Sequence, residues 1–198
     1  MTLINAWLQR LRGRRTTQQK WDAQWAGERF AWLGRLDELA HYSVLAGYAL
    51  QLKPGGALLD IGSGDGVLRD RLHPKAFSRY VGVDFAEAIA RAQPRVDERT
   101  SFVAADMRTF TPDAKFDTIV FNESLYYVAD PIAELDRYAG FLNADGIFLI
   151  STHLKPKTEE LWTRMSTRYG VIDRVTVANQ AGVQWICGAL DGMRNRPS

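Results

Sequence analysis

The run Leu58-Leu-Asp-Ile-Gly-Ser-Gly-Asp-Gly66 constrains this chain more than any other segment. Residues 57–61 are a short apolar run of strand type. They pass directly into three glycines spaced two apart, after which residues 67–72 open a helix that must stop near Pro74. Glycine is needed where the backbone takes positive φ or where a ligand must approach it closely. Strand, glycine turn and helix in succession form the opening unit of a nucleotide-type sheet, whose ligand lies at the carboxyl end of the first strand.

The alternation continues. Strand-type runs follow at 80–83, 101–105, 116–121 and 146–151, with helical stretches at 86–92 and 131–142. Asp130 supplies an N-cap for the last of these helices, and Pro131 sits at its first position. Strands alternating with helices predict a parallel sheet covered on both faces. The end differs: runs at 171–178 and 183–190 are joined by Asn179-Gln-Ala-Gly182, a hairpin signal. Ahead of the sheet, residues 21–52 read as helical and aromatic-rich, closed by the turn Lys53-Pro-Gly-Gly56. At 198 residues the chain fits one domain with short additions. The expected division is a basic arm at 1–20, a helical cap at 21–52 and a sheet domain at 53–192.

Three acids close three successive strands: Asp60, Asp84 and Asp106. Asp84 follows the glycine loop by roughly 20 residues, where a carboxylate can accept both ribose hydroxyls. Asp106 can accept from an adenine amino group, with the Met107 backbone N–H facing the ring. One such acid alone would be an ordinary N-cap; three in succession are harder to explain that way. A dinucleotide site wants Gly-x-Gly-x-x-Gly. Here the third glycine comes one residue early, Val67 stands in its place, and Asp60 would repel a pyrophosphate. A cationic ligand without phosphate suits this loop better.

The segments Asp60-Ile-Gly-Ser-Gly-Asp-Gly66, Val83-Asp84, Ala105-Asp106, Phe116-Asp-Thr-Ile-Val-Phe-Asn-Glu123 and Leu142-Asn-Ala-Asp-Gly-Ile-Phe-Leu-Ile150 resemble the successive motifs of class I S-adenosylmethionine (SAM)-dependent methyltransferases. The resemblance covers about residues 55–190. It implies a Rossmann-like α/β fold with a seven-stranded, mostly parallel sheet. The implied order is 3-2-1-4-5-7-6, with strand 7 antiparallel and helices on both faces. It further implies that Asp60 and the loop at Gly62, Ser63, Gly64 and Gly66 hold the methionine end of SAM. Asp84 would hold the ribose, Asp106 with Met107 the adenine, and Phe85 would pack near that ring. Asn122, at the end of the fourth motif, joins the cofactor set, and no metal is expected. Ser63 stands where the family often has cysteine, and Asp65 where it often has glutamate. The stretch Glu123-Ser-Leu-Tyr-Tyr-Val128 is similar to one seen in small-molecule methyltransferases.

Transfer of an activated methyl group is an in-line displacement, and orienting the two reactants supplies up to about 7–11 kcal/mol. A hydroxyl acceptor also needs a base. The candidates are Glu123 after strand four, which is best placed, His153 after strand five, and His41 in the cap. His73, beside Pro74, reads as a helix-end or surface residue. Of Tyr126 and Tyr127, one is expected to face the acceptor and the other the core. Trp21, Trp25, Phe30 and Trp32 read equally as a lid over the acceptor or as anchors of the cap. Only the segments before the sheet and between strands five and six are free to shape the acceptor pocket. The expected reaction is therefore methylation of an O or N atom of a small-molecule or sugar-type acceptor. The alternatives are a non-catalytic SAM-binding module and, against the evidence of Val67, an NAD-dependent oxidoreductase.

Charge is placed unevenly. Arg10, Arg12, Arg14, Arg15 and Lys20 stand in the first 20 residues without an acid, in a chain of net charge +2. The body is therefore mildly acidic, which argues against a nucleic-acid acceptor. The favoured reading of the arm is a solvated segment. The other is an amphipathic helix touching anionic membrane or a partner through Leu3, Ile4, Trp7, Leu8 and Leu11. The single cysteine, Cys187, excludes an intrachain disulfide and points to a reducing, cytoplasmic setting. No apolar run approaches the roughly 20 residues that span a bilayer.

Overall fold

The computed structural model describes residues 32–192 together with Gln19, Trp21, Ala23 and Trp25. The basic arm apart from Gln19, with its amphipathic alternative, and Phe30 lie outside the described residues. The strand-type runs become β1 (Gly56–Ile61), β2 (Phe77–Asp84), β3 (Thr100–Ala104), β4 (Phe116–Asn122), β5 (Leu142–His153), β6 (Gly170–Ala178) and β7 (Gln184–Asp191). They form a seven-stranded sheet in the order β3-β2-β1-β4-β5-β7-β6. Neighbours among β1 to β5 run parallel, while β7 is antiparallel to both β5 and β6. The expected fold class is the observed one.

Central strands read as unbroken apolar runs because both faces of the sheet are covered. Leu59, Ile119, Phe121, Phe148 and Ile150 point to one core, which they share with Leu135, Tyr138, Trp162 and Met165. Their neighbours Leu58, Val120 and Leu149 point the other way, to Tyr42, Leu45, Ala49, Val67 and Leu68. The second group comes from α1 (Leu39–Leu52) and α2 (Val67–Arg71). The first comes from α4 (Pro131–Ala139) and α5 (Pro156–Arg168), while α3 (Ala86–Ala92) links β2 to β3.

Some boundaries differ from the sequence reading. Residues 21–52 are not one helix: the Arg35 N–H closes a turn on the Trp32 carbonyl at 2.9 Å, and a 3₁₀ turn at Leu36–Glu38 leads into α1. Helix α4 starts as expected, with Asp130 Oδ1 accepting from the Ile132 and Ala133 N–H groups at 3.1 and 3.3 Å. It stops at Ala139, because Leu142 already pairs with Phe116 and begins β5. The register then shifts between Phe116 and Thr118. Asp117, inside that irregularity, accepts from the Ala57 N–H and from Asn143 Nδ2, each at 2.7 Å. One carboxylate thus joins the starts of β1, β4 and β5.

The segment between β5 and β6 was free to shape a pocket; instead it forms α5 and fills the core. Leu161, Trp162 and Met165 are buried, and the Trp162 indole N–H donates to Thr152 Oγ1 at 2.9 Å. None of the described helices is long and apolar enough to cross a membrane. Truncation of Trp162 to alanine removes its packing and leaves the Thr152 hydroxyl without its donor. Urea denaturation should show a loss of about 3–5 kcal/mol. A loss below about 1 kcal/mol would mean that α5 is peripheral to the core.

Candidate active site

The crevice opens where the chain leaves β1 for β2 on one side and β4 lies on the other, at the carboxyl ends of the strands. The turn after β1 holds Gly62 at φ 78° and Gly64 at φ 58°. A Cβ on Gly62 would lie 2.4 Å from that of Ser124, whose hydroxyl donates to the Ile61 carbonyl at 2.5 Å. Val83 holds the turn from the neighbouring strand, its carbonyl accepting from the Gly62 and Ser63 N–H groups at 2.8 and 3.1 Å. Asp84 adds a second clamp: Oδ2 accepts from the Gly64 N–H at 2.8 Å, and Oδ1 from the Phe85 N–H at 2.7 Å.

Asp60 lies buried behind this turn. Its Oδ2 accepts from the Tyr80 hydroxyl at 2.6 Å, and its Oδ1 has no hydrogen-bond partner. Burial pushes the carboxyl up to about 7, against the pull of the Tyr80 hydrogen bond and with help from the charge of Asp84. An orphaned buried acceptor of this kind suits a cationic donor.

A cleft with about 910 Å³ of empty space, partly open to solvent, runs along the strand ends. Gly62, Ser63, Gly64, Asp84, Phe85, Met107 and Asn122 line it, as the sequence reading placed them. Gly66, Asp60 and Asp106 do not form its wall. Gly66 caps α2, where a Cβ would meet Phe102 at 2.8 Å. Asp106 is turned onto Arg108, whose backbone N–H and guanidinium both donate to it, and this holds its carboxyl below the usual range. An adenine amino group would therefore share Asp106 with Arg108. The Met107 carbonyl receives the Arg137 guanidinium and, at 2.8 Å, the Tyr138 hydroxyl.

At the other end of the cleft stands Glu123, the one described non-glycine residue with positive φ, at 55°. That conformation is costly for a side chain with a Cβ and persists only where surrounding contacts impose it. Here Ser151 Oγ accepts from the Glu123 N–H at 3.1 Å and donates to Asn122 Oδ1 at 2.7 Å, with Glu123 Oε1 3.2 Å away. Glu123 Oε2 accepts from the Tyr126 hydroxyl at 2.7 Å, the His153 N–H at 3.2 Å and His153 Nδ1 at 2.5 Å. Burial alone would raise the Glu123 carboxyl. The hydrogen bond and charge of His153, with Tyr126 and the charge of His41, more than offset it and hold the group below its ordinary value. The same hydrogen bond raises His153 above 6.5, against desolvation.

His41 leaves the set of base candidates. Its Nδ1 faces Asn122 Oδ1 at 2.8 Å and its Nε2 faces Glu38 Oε2 at 3.1 Å, so neither ring nitrogen is left to take a proton from a ligand. Both Tyr126 and Tyr127 line the cleft, so the expected division between acceptor and core does not hold. Trp21, Trp25 and Trp32 line it too. Trp25 is buried with its ring 3.1 Å from where a Gly64 Cβ would lie, so it acts as anchor and wall at once. His73 is on the surface, its Nδ1 accepting from the Lys75 N–H at 3.0 Å. Sequence reasoning missed Glu38, Ser151 and Trp185. Glu38 stands three residues before His41, a helical pairing distance that was its one signal. The Trp185 ring lies 5.1 Å from that of His41 and 5.2 Å from that of His153, contacts that arise only through the β5–β7 pairing.

Sheet order, switch-point turn and strand-end acids together define a class I SAM-dependent methyltransferase domain. SAM fits the turn end of the cleft, where the Asp84 carboxylate lines the wall and Asp60 Oδ1 lies unpartnered behind the glycine turn. A pyrophosphate would find the Gly64 N–H already given to Asp84. The chain belongs to the family described as Methyltransferase domain, which matches residues 32–185. It is 32% identical over 109 residues to an uncharacterized methyltransferase of Mycobacterium tuberculosis, covering 53% of this chain and 55% of that protein. It is 33% identical over 101 residues to Nodulation protein S of Azorhizobium caulinodans, covering 49% of each. The chain thus spans about half the length of the curated relatives it matches. Among solved structures, the N-methyltransferase NodS of Bradyrhizobium japonicum with S-adenosyl-L-homocysteine superposes with a TM-score of 0.74 at 21% identity, over 88% of this chain and 97% of that one. The 1,6-didemethyltoxoflavin-N1-methyltransferase of Burkholderia thailandensis gives 0.72 at 21% identity, over 88% and 86%.

The Glu123–His153 contact yields a direct measurement. The carboxylate stabilises the imidazolium, so Glu123→Gln removes the cause of the raised His153 value. NMR titration of the imidazole should show a lower midpoint in the variant than in the wild type. An unmoved midpoint would mean that the pair does not form in solution.

Proposed function

We propose that the protein moves a methyl group from SAM to a nitrogen or oxygen atom of a small-molecule acceptor, with His153 as the base and Glu123 as its orienting partner. One observation carries the assignment of the base: His153 Nδ1 is given to Glu123, which leaves Nε2 as the nitrogen that can accept a proton in the cleft wall. Glu123 itself is a poor base, since donors crowd its Oε2 and hold its carboxyl low. Two structural neighbours support this reading: both are named as methyltransferases acting at nitrogen, and the second is named for the small molecule 1,6-didemethyltoxoflavin.

When bound, SAM supplies a methyl group already activated by its sulfonium. The chain's own residues position and protect. Asp84 accepts from ribose hydroxyls while bracing Gly64. Asp60, behind the glycine turn with its Oδ1 unpartnered, attracts the ligand's cationic methionine end through the turn rather than from the cleft wall. Phe85 and Met107 border the adenine. The tryptophans and Tyr127 exclude water from the acceptor side. His153 removes the acceptor's proton before or during attack.

Methyl transfer from labelled SAM to pooled metabolites, read by mass spectrometry, tests the reaction, and calorimetry with S-adenosylhomocysteine tests the cofactor site. Binding without any transfer would leave a non-catalytic SAM-binding module. His153 must be neutral to act, and its midpoint is raised above 6.5, so kcat/KM should rise with pH through an inflection above that value. In Glu123→Gln that inflection should move to lower pH. His153→Ala should lower turnover by roughly 10²-fold with homocysteine-product affinity unchanged. Retained turnover in His153→Ala would end its assignment as base.

A further inference from the structure

Resting on that reading, we infer that the acceptor is an amine that arrives as an ammonium cation, and that Glu38 is the carboxylate that selects it. Glu38 is buried in the cleft wall at the end of the 3₁₀ turn, and His41 Nε2 holds its Oε2 at 3.1 Å. A hydrogen-bonded series runs from there through Asn122 Oδ1 to Ser151 Oγ, which donates to that oxygen and accepts from the Glu123 N–H, and on to His153. Both ends of the series, Glu38 and His153, face the cleft. Two buried carboxylates are therefore held on the acceptor side by fixed partners, and the two histidine rings rest on Trp185.

The rest of that side is aromatic. Trp21 meets Tyr127 edge to face at 4.8 Å between centroids, and Trp32 and Tyr126 complete the walls. Aromatic faces attract a desolvated cation, and carboxylates attract it further. Among the described residues that line the cleft, carboxylates outnumber histidines, and none is lysine or arginine. A carboxylated or phosphorylated acceptor would be buried against like charge. A neutral alcohol could donate one hydrogen bond to Glu38 but would bring it no charge. An ammonium is held by Glu38 and the aromatic walls, and that carboxylate also offsets its repulsion from the sulfonium. It then gives a proton to His153 Nε2. The freed lone pair forms the N–C bond as the C–S bond breaks, and the C–S electron pair returns to sulfur.

Three flat probes of similar size separate these cases: benzylamine, benzyl alcohol and benzoate. Calorimetry is run on the full chain with and without S-adenosylhomocysteine. Benzylamine should bind about tenfold or more tightly than the alcohol, and benzoate not measurably. Glu38→Gln should remove most of that preference while leaving the alcohol's affinity unchanged. Because Glu38 is buried, Trp32→Ala at the partly exposed rim serves as a second variant, and it should also weaken the amine selectively. Equal binding of amine and alcohol, tighter binding of benzoate, or a preference intact in a folded Glu38→Gln or Trp32→Ala variant overturns the inference. The homocysteine-product titration reads the methyltransferase proposal separately. No binding of that product with the amine preference preserved defeats the proposed function alone. Product binding without the preference defeats this inference alone.

Discussion

Strand β1 is hydrogen-bonded in parallel to β2 on one side and to β4 on the other, and the whole site depends on that double pairing. Parallel neighbours force the connecting chain to cross over the sheet and return. On the two sides of β1 those crossings part, and a crevice opens between them. Register then does the placing. Asp60 lies level with Gly82 on one side and Val120 on the other, so the glycine turn leaves at the height where Val83 and Asp84 can hold it. Asn122 lies level with Ser151, which brings the end of β4 against the end of β5 and sets Glu123 beside His153.

Two buried carboxylates show how partner choice, more than burial, decides charge. Asp60 and Glu123 are both removed from water, and both pay desolvation in the same direction. Asp60 has a neutral tyrosine hydroxyl and a nearby acid for company, and is pushed up. Glu123 has an imidazole, and is held down. The first is left with an unpartnered oxygen; the second has its donors supplied by the chain.

The features visible in the sequence are those written by strand periodicity and glycine. The turn at Gly62 and Gly64 needs residues without Cβ, and Asp84 and Asp106 stand one position past an apolar run, while Asp60 lies one residue before the end of its own. The closing hairpin is marked by Asn179 and Gly182, where the Gly182 N–H does return to the Asn179 carbonyl at 3.0 Å. What sequence position does not say is which neighbour claims a side chain. Asp106 stands where expected and is claimed by Arg108, two residues along. His41 looks like a free imidazole until Glu38 and Asn122, 81 residues away, take both nitrogens. Trp185 reaches the back of the cleft only because β7 inserts between β5 and β6. Helix α5 carried a periodic apolar face, but its destination was a matter of tertiary packing.

The carbonyl of Met107 bears on how such a chain can diverge. Its two donors, Arg137 and Tyr138, come from α4, and Arg137 also reaches the Phe110 carbonyl at 2.8 Å. The loop after β3 is thus shaped by a helix about thirty residues downstream. A change in the path of this loop therefore calls for a matching change in α4. A loop on a different path would leave the Arg137 guanidinium with Glu134 alone and the Tyr138 hydroxyl without its acceptor. Loop and helix are therefore expected to tolerate exchange only as a pair.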